Sequence, residues 1–193
     1  MKKLKNIALV LTGGFFLWGC GDVYKSKPEE IADTRNEYKF SDQPNKAMQA
    51  DFMVEAYLQN KMLIEISKVA QTKALDLEVR QLADKIGSDL YDKNDSAEAI
   101  MRDNGFVIPT HLGEDRIAEI DKYKEMKIGA RFDNRYVELL EDSYEFMKDH
   151  YDDVDELTDK RVRNWALMSQ AMLHRHEEEI EFVEDSMNQK FES

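Results

Sequence analysis

Asp89 and His176 are the two residues of this chain best placed to do chemistry. His176 lies between Leu173 and Ile180 on the apolar side of a long amphipathic stretch, so its imidazole points inward. An inward imidazole can ligate a metal, move a proton or simply hydrogen-bond, and the first two roles need neighbours. Asp89 is the best candidate neighbour. A lone inward histidine reads first as a hydrogen-bonded core residue, which makes Asp89–His176 a buried polar pair. His174 points roughly 160° away from His176 on the same helix and reads as surface.

Other constellations lack a necessary part. A carboxylate-bridged di-iron centre wants Glu-x-x-His on each of two helices. The residues three before His150, His174 and His176 are Met147, Ala171 and Leu173. His174-x-His176, followed by Glu177-Glu178-Glu179, has a spacing that suits a strand better than a helix. Asp149-His150-x-Asp152-Asp153-x-Asp155 lacks the glycine and terminal glutamate of a calcium loop and reads as a solvated acidic turn. No Ser or Thr stands beside a His in an elbow-like context, so nucleophilic catalysis has no support. No cofactor and no enzymatic activity are expected.

Long helices must position these residues. Val79, Leu82, Ala83, Ile86, Leu90, Ala97, Ile100 and Met101 share one helical face, with Asp89 on its flank. This helix should end at Asn104-Gly105, where glycine supplies a left-handed cap. An earlier stripe contains Phe52, Ala56, Gln59, Leu63, Ile66, Ala70 and Ala74, with Glu65 turned to solvent. A third contains Phe132, Tyr136, Leu139, Leu140, Ser143, Phe146 and Met147. A fourth contains Val162, Trp165, Ala166, Ser169, Leu173, His176, Ile180, Val183 and Met187. A short helical piece with Ile117 and Ile120 as its apolar face lies between Gly113 and Met126, and Asp155 is the expected N-cap of the last helix. The fold expected is all-α, an antiparallel four-helix bundle over residues 47–190.

The 193 residues carry 27 Lys+Arg against 40 Asp+Glu, a formal net charge of -13. Such a surface repels polyanions, so no nucleic-acid partner is expected. Lys2, Lys3 and Lys5 precede an apolar run from Ile7 to Trp18, too short to span a bilayer but suited to a signal peptide. The run ends in Leu17-Trp18-Gly19-Cys20, which resembles the bacterial lipobox and holds the chain's one cysteine. Residues 1–19 are read as a lipoprotein signal peptide and Cys20 as the site of lipid attachment. Acyl chains there would anchor the protein to a membrane. Gly21, in place of the Asp that retains lipoproteins at the inner membrane, favours the outer membrane, with the domain in the periplasm. Residues 20–46 are polar, contain Pro28 and Pro44, and are expected to form a flexible tether.

Ala70, Ala74, Val79, Leu82-Ala83, Ile86, Asp89 and Asn94 follow the spacing of a bacterial family, the domain-of-unknown-function 4142 family. Phe132-Asp133-x-x-Tyr136 resembles its Phe-Asp-x-x-Tyr signature, and Leu173-x-x-His176 its Leu-x-x-His. The resemblance covers roughly residues 51–187 and implies a ferritin-like helical bundle, often labelled an outer-membrane protein. Typical members place a Glu on the first long helix, an Asp-His pair on the second, and a His on each of the third and fourth. Those types could bind a transition metal. Here the positions hold Leu63, Asp89-Leu90, Tyr144 and His176. Only Asp89 and His176 match. The leading expectation is therefore a lipid-anchored, non-catalytic interaction domain that binds an envelope protein, itself, or a small ligand between helices. One alternative is a ferritin-like metal-binding or oxidase protein with a degenerate site, using Asp89, His176 and unmatched carboxylates. Another is a periplasmic carrier of an apolar ligand, with a cavity around Leu63 and Leu90. On the leading reading Leu63, Leu90 and His176 meet in one layer, with Asp89 at its edge.

Overall fold

A computed structural model describes residues 27–192. Its helices are α1 (Lys27–Lys39), α2 (Pro44–Lys73), α3 (Leu77–Asn104), α4 (Glu114–Glu125), α5 (Ala130–Tyr151) and α6 (Lys160–Glu192), with a 3-10 turn over Asp152–Glu156. The long helices α2, α3, α5 and α6 form a bundle whose core runs continuously from Ala50 to Met187. No strand occurs among the described residues. The all-α bundle expected from the four stripes is what the chain forms.

Cross-helix bonds fix the directions. Asn94 Nδ2 donates to the Tyr57 carbonyl at 3.0 Å, and a Cβ placed on Gly87 would lie 3.2 Å from Ser67 Cβ, so α2 and α3 run antiparallel. Ser67 and Tyr136 share a hydrogen bond of 2.9 Å, and the His150 ring lies 3.0 Å from the Phe52 carbonyl, so α2 and α5 are also antiparallel. Gln49 at the start of α2 bonds Thr158 and Asp159 at the start of α6, which makes those two parallel. Consequently α3 and α5 run the same way, and residues 105–129, including α4, must return the chain along the bundle. One long crossover therefore joins α3 to α5.

Local chemistry accounts for the helix ends. Gly105 ends α3 at φ 71°, a left-handed conformation that costs glycine little, as the sequence predicts. Asp76 caps the start of α3 by accepting from the Glu78 N–H at 2.8 Å. Asp159, and not Asp155, caps α6, accepting from the N–H groups of Arg161 and Val162 at 2.8 and 3.1 Å. The 3-10 turn displaces Asp155 from the helix start and leaves it paired with Arg163 at 2.6 Å. On α4 the buried face is Ile120 with Tyr123, while Ile117 is 43% exposed.

The tether expected over 20–46 is corrected from residue 27 onward. Pro28, Ala32, Asn36 and Phe40 recur every four residues, and all are buried against the bundle. Asn36 clamps the Val107 backbone: its Oδ1 accepts from the N–H at 2.7 Å and its Nδ2 donates to the carbonyl at 3.4 Å. Glu29 and Arg116 form an ion pair at 2.6 Å in which both side chains are largely buried. The folded unit therefore includes α1, because mixed small, amide and aromatic side chains supply a face that an aliphatic stripe search misses. Residues 1–26, with the signal segment and Cys20, lie outside the described residues.

A further correction concerns α2. Beyond the expected stripe, Ala50, Met53, Val54, Leu58, Met62 and Ile64 are also buried, while Gln59 is half-buried. The helix is covered by α1, α3, α4 and α5, so much of its circumference faces protein.

Candidate functional site

The middle of the bundle holds a polar chain inside an apolar layer. His176 has 0% of its surface exposed. Its Nε2 lies 2.8 Å from Asp89 Oδ2 and its Nδ1 lies 2.7 Å from the Tyr144 hydroxyl. Asp89 is a carboxylate that accepts, so Nε2 carries the proton and donates. Nδ1 then accepts from Tyr144, whose hydroxyl is the donor. The chain continues to the surface. Lys85 Nζ sits 3.2 Å from Asp89 Oδ2 and 3.3 Å from Glu179 Oε1. Asp89 is 36% exposed, so it stands at the rim while Tyr144 and His176 lie inside.

Charge states follow from these surroundings. Burial pushes the His176 imidazole below its usual 6.5, and the bond to Asp89 only partly offsets that. Burial alone would raise the Asp89 carboxyl, but bonds from His176 and Lys85 outweigh it and hold it below the usual range. Burial also raises the Tyr144 phenol well above its usual value. The stable form is thus neutral phenol, neutral imidazole and ionised carboxylate.

Register places the aliphatic residues at the same level. Asn94–Tyr57 and Gly87–Ser67 bracket one stretch of the α2–α3 pair, and Leu63 faces the Leu90 level between them. Leu63 and Leu90 are each 0% exposed. Burial and register thus set Leu63 and Leu90 near the level of His176, and the half-exposed Asp89 lies at the rim. Tyr144 stands where the resemblance puts a third-helix histidine, and instead of adding a ligand it occupies one of His176's nitrogens. A metal on His176 would have to displace either the Nε2–H bonded to Asp89 or the Tyr144 hydroxyl at Nδ1. Among the described residues no group of three or more His, Cys, Asp or Glu side chains is placed to hold a metal. The donor set does not fit a metal centre.

The remaining histidine-bearing motifs part company in space. His174 is 77% exposed and lies beside Glu177 and Glu178. His150 is not simply part of a solvated turn: its ring stacks on Phe52 at 4.5 Å and 12°. All three residues of the Phe-Asp-x-x-Tyr signature have structural work. Asp133, 2% exposed, accepts from the N–H groups of Leu75 and Asp76 at 2.9 Å each, pinning the α2–α3 turn to α5. Tyr136 bonds Ser67 within the core, and Phe132 packs edge-on against Tyr123. The sequence offered a clue to Tyr144. It sits one position off the α5 stripe, and a buried phenol must find a partner.

No curated protein and no solved structure matches the chain. A family model does, that of the Domain of unknown function (DUF4142), over residues 37–183. The match begins inside α1 and ends within α6, taking in the whole polar chain and the signature around Asp133. By that match, over most of its length, the chain belongs to the DUF4142 family.

Proposed function

We propose that this protein is a lipid-anchored component of the bacterial cell envelope whose helical bundle serves interaction rather than catalysis. The observation that carries the non-catalytic half is the filling of the ligand positions. Leu63 and Leu90 are buried aliphatic side chains, and Tyr144 and Asp89 engage both nitrogens of His176. One buried imidazole with one carboxylate at the rim, among aliphatic side chains, is a poor binder of a divalent ion. The single long crossover between α3 and α5 is a connection that ferritin-like bundles also use, which supports reading the bundle as one whose ligand positions are filled by other side chains. The anchoring half rests on Lys2, Lys3 and Lys5, the apolar run and Leu17-Trp18-Gly19-Cys20, with Gly21 favouring the outer membrane. Among the described residues no helix is long and apolar enough to cross a membrane, so attachment would fall to Cys20.

The anchoring half is tested by growing bacteria that express the full chain with a clickable fatty acid. The wild type should incorporate label and fractionate with membranes. Cys20→Ser should lose both. Equal labelling of the two would refute the anchor. In-cell crosslinking of the lipidated protein should then yield a discrete product, either with an envelope protein or with a second copy. A monomer free of crosslinks at native abundance would speak against an interaction role.

A further inference from the structure

Helices α2, α3 and α5 meet at two successive levels of the core, and their polar groups are satisfied at only one. At the first level Ser67 of α2 faces both neighbours. A Cβ on Gly87 of α3 would lie 3.2 Å from Ser67 Cβ, and the Tyr136 hydroxyl of α5 lies 2.9 Å from Ser67 Oγ. A step of seven residues is close to two helical turns, so it returns to the same face of each helix. Both α3 and α5 run antiparallel to α2, so seven back on α2 meets seven forward on each of them. The second level is therefore Asn60, Asn94 and Ser143. The register is held there by Asn94 Nδ2, which donates at 3.0 Å to the carbonyl of Tyr57, one turn before Asn60.

All three side chains are inside the bundle: Asn60 is 1% exposed, Asn94 7% and Ser143 5%. Among the described residues, Asn60 Oδ1, Asn60 Nδ2 and Asn94 Oδ1 have no hydrogen-bond partner. An amide that leaves water without finding a partner is costly, and almost all buried polar groups in folded proteins are bonded to protein or to ordered water. Asn60 stands on the inward line of α2 with Leu63 and Ser67, where an aliphatic side chain would avoid that cost.

The open groups define what would meet them. Two are carbonyl oxygens that accept, and the third is an NH₂ that donates. A cation would suit the oxygens but face the Asn60 amide hydrogens, and an anion would face the reverse. A neutral molecule that both donates and accepts suits the whole set, and enclosure limits its size to that of water. Room comes from α5. At the Ser67 level the Tyr136 phenol spans the gap to α2, whereas at the Asn60 level α5 presents only the short Ser143 side chain, whose hydroxyl can turn to donate or accept.

We infer that Asn60, Asn94 and Ser143 form an internal site that binds ordered water between α2, α3 and α5. One water accepts from Asn60 Nδ2 and donates to Asn94 Oδ1, which joins the two amides across the α2–α3 seam. A second, donating to Asn60 Oδ1, completes the set. Folded proteins hold on the order of one buried water per 27 residues, each making about three bonds, so one or two at this level is an ordinary load. The site does not depend on the anchoring or interaction role proposed above.

Oxygen-17 magnetic relaxation dispersion on the full-length protein tests this, because it counts waters held inside for longer than the molecule takes to rotate. Asn60→Leu replaces the amide by an aliphatic group of similar size, and the count should fall by about one or two. Asn60→Ser shortens the side chain but keeps it polar, and the count should hold or rise. The wild type gives a second reading that requires no variant to fold. The Asn60 side-chain amide hydrogens should show rotating-frame Overhauser peaks to water, with the sign of proximity and not of hydrogen exchange. Absence of those peaks would overturn the inference, as would equal counts for the wild type and Asn60→Leu. A strong coupling between Asn60→Leu and Asn94→Leu in urea midpoints, with the water count unchanged, would mark a direct amide–amide bond and would overturn it too.

Discussion

Tyr144→Phe isolates the bond that replaces a ligand in the core. The substitution removes one oxygen and keeps the ring, so packing changes little. What changes is His176. Its Nδ1 loses a donor 2.7 Å away, in a layer where the imidazole is 0% exposed and Nε2–H is committed to Asp89. A buried acceptor left without a donor costs about 1–3 kcal/mol. In a chain of this length that lowers Tm by roughly 2–12 °C. Urea unfolding of the full protein measures it as a lower midpoint at unchanged slope. His176→Phe should destabilise on its own as well, since it leaves the Tyr144 hydroxyl buried and unbonded. The double variant removes both ends of the bond and should be more stable than the sum of the two losses implies, with a coupling of about 0.5–3 kcal/mol. Strict additivity would mean that no such bond exists in solution, and the account of the core would fail with it.

Three further outcomes follow from the geometry. Asp133→Ala should cost about 1–3 kcal/mol, because two partly buried N–H groups lose their acceptor, while Asp133→Asn retains one oxygen and should cost about half as much; equal losses in urea midpoints would contradict this. Glu29→Ala should destabilise by about 3–5 kcal/mol and open α1 to limited proteolysis, since Arg116 is left largely buried; an unchanged cleavage pattern would return residues 27–39 to the status of a tether. The third outcome concerns acid. His176 binds its proton less readily folded than unfolded, so its contribution is whole above the unfolded value near 6.5 and declines as pH falls below it, until the lower folded value is reached. Asp89, held below the usual range, contributes a loss only further down, below about 4. Between pH 7 and 5 the wild type should therefore lose stability faster than His176→Phe; parallel curves would contradict the neutral buried imidazole.

The sequence made the long helices legible because aliphatic residues at a period of 3.6 leave little alternative. Every residue of the α6 stripe, from Val162 to Met187, is buried as spaced. The Asp89–His176 pair was legible for the same reason: one lies on the flank of a stripe and the other at the centre of one. Tyr144 was harder to see as a partner, because its hydroxyl is drawn to His176 by a bond across helices that no single helical wheel contains. Helix α1 escaped because its inward face is Pro28, Ala32, Asn36 and Phe40, residues whose burial depends on the Val107 backbone and Arg116 being in place. The Asp133 contacts likewise belong to tertiary structure, since the groups it caps lie 57 and 58 residues away. The long crossover was hidden for a related reason: a 12-residue α4 says nothing of its direction until Lys73 binds its far end.

The central claim is that the bundle keeps its polar core pair and no metal site. Metal analysis of the purified full-length protein, after dialysis against a weak chelator, tests it most directly. Iron, zinc and manganese should each be far below one per chain, and Leu63, Leu90 and the Tyr144–His176–Asp89 chain give the reason. One equivalent of any of the three, retained by the wild type and lost in His176→Phe, would contradict it.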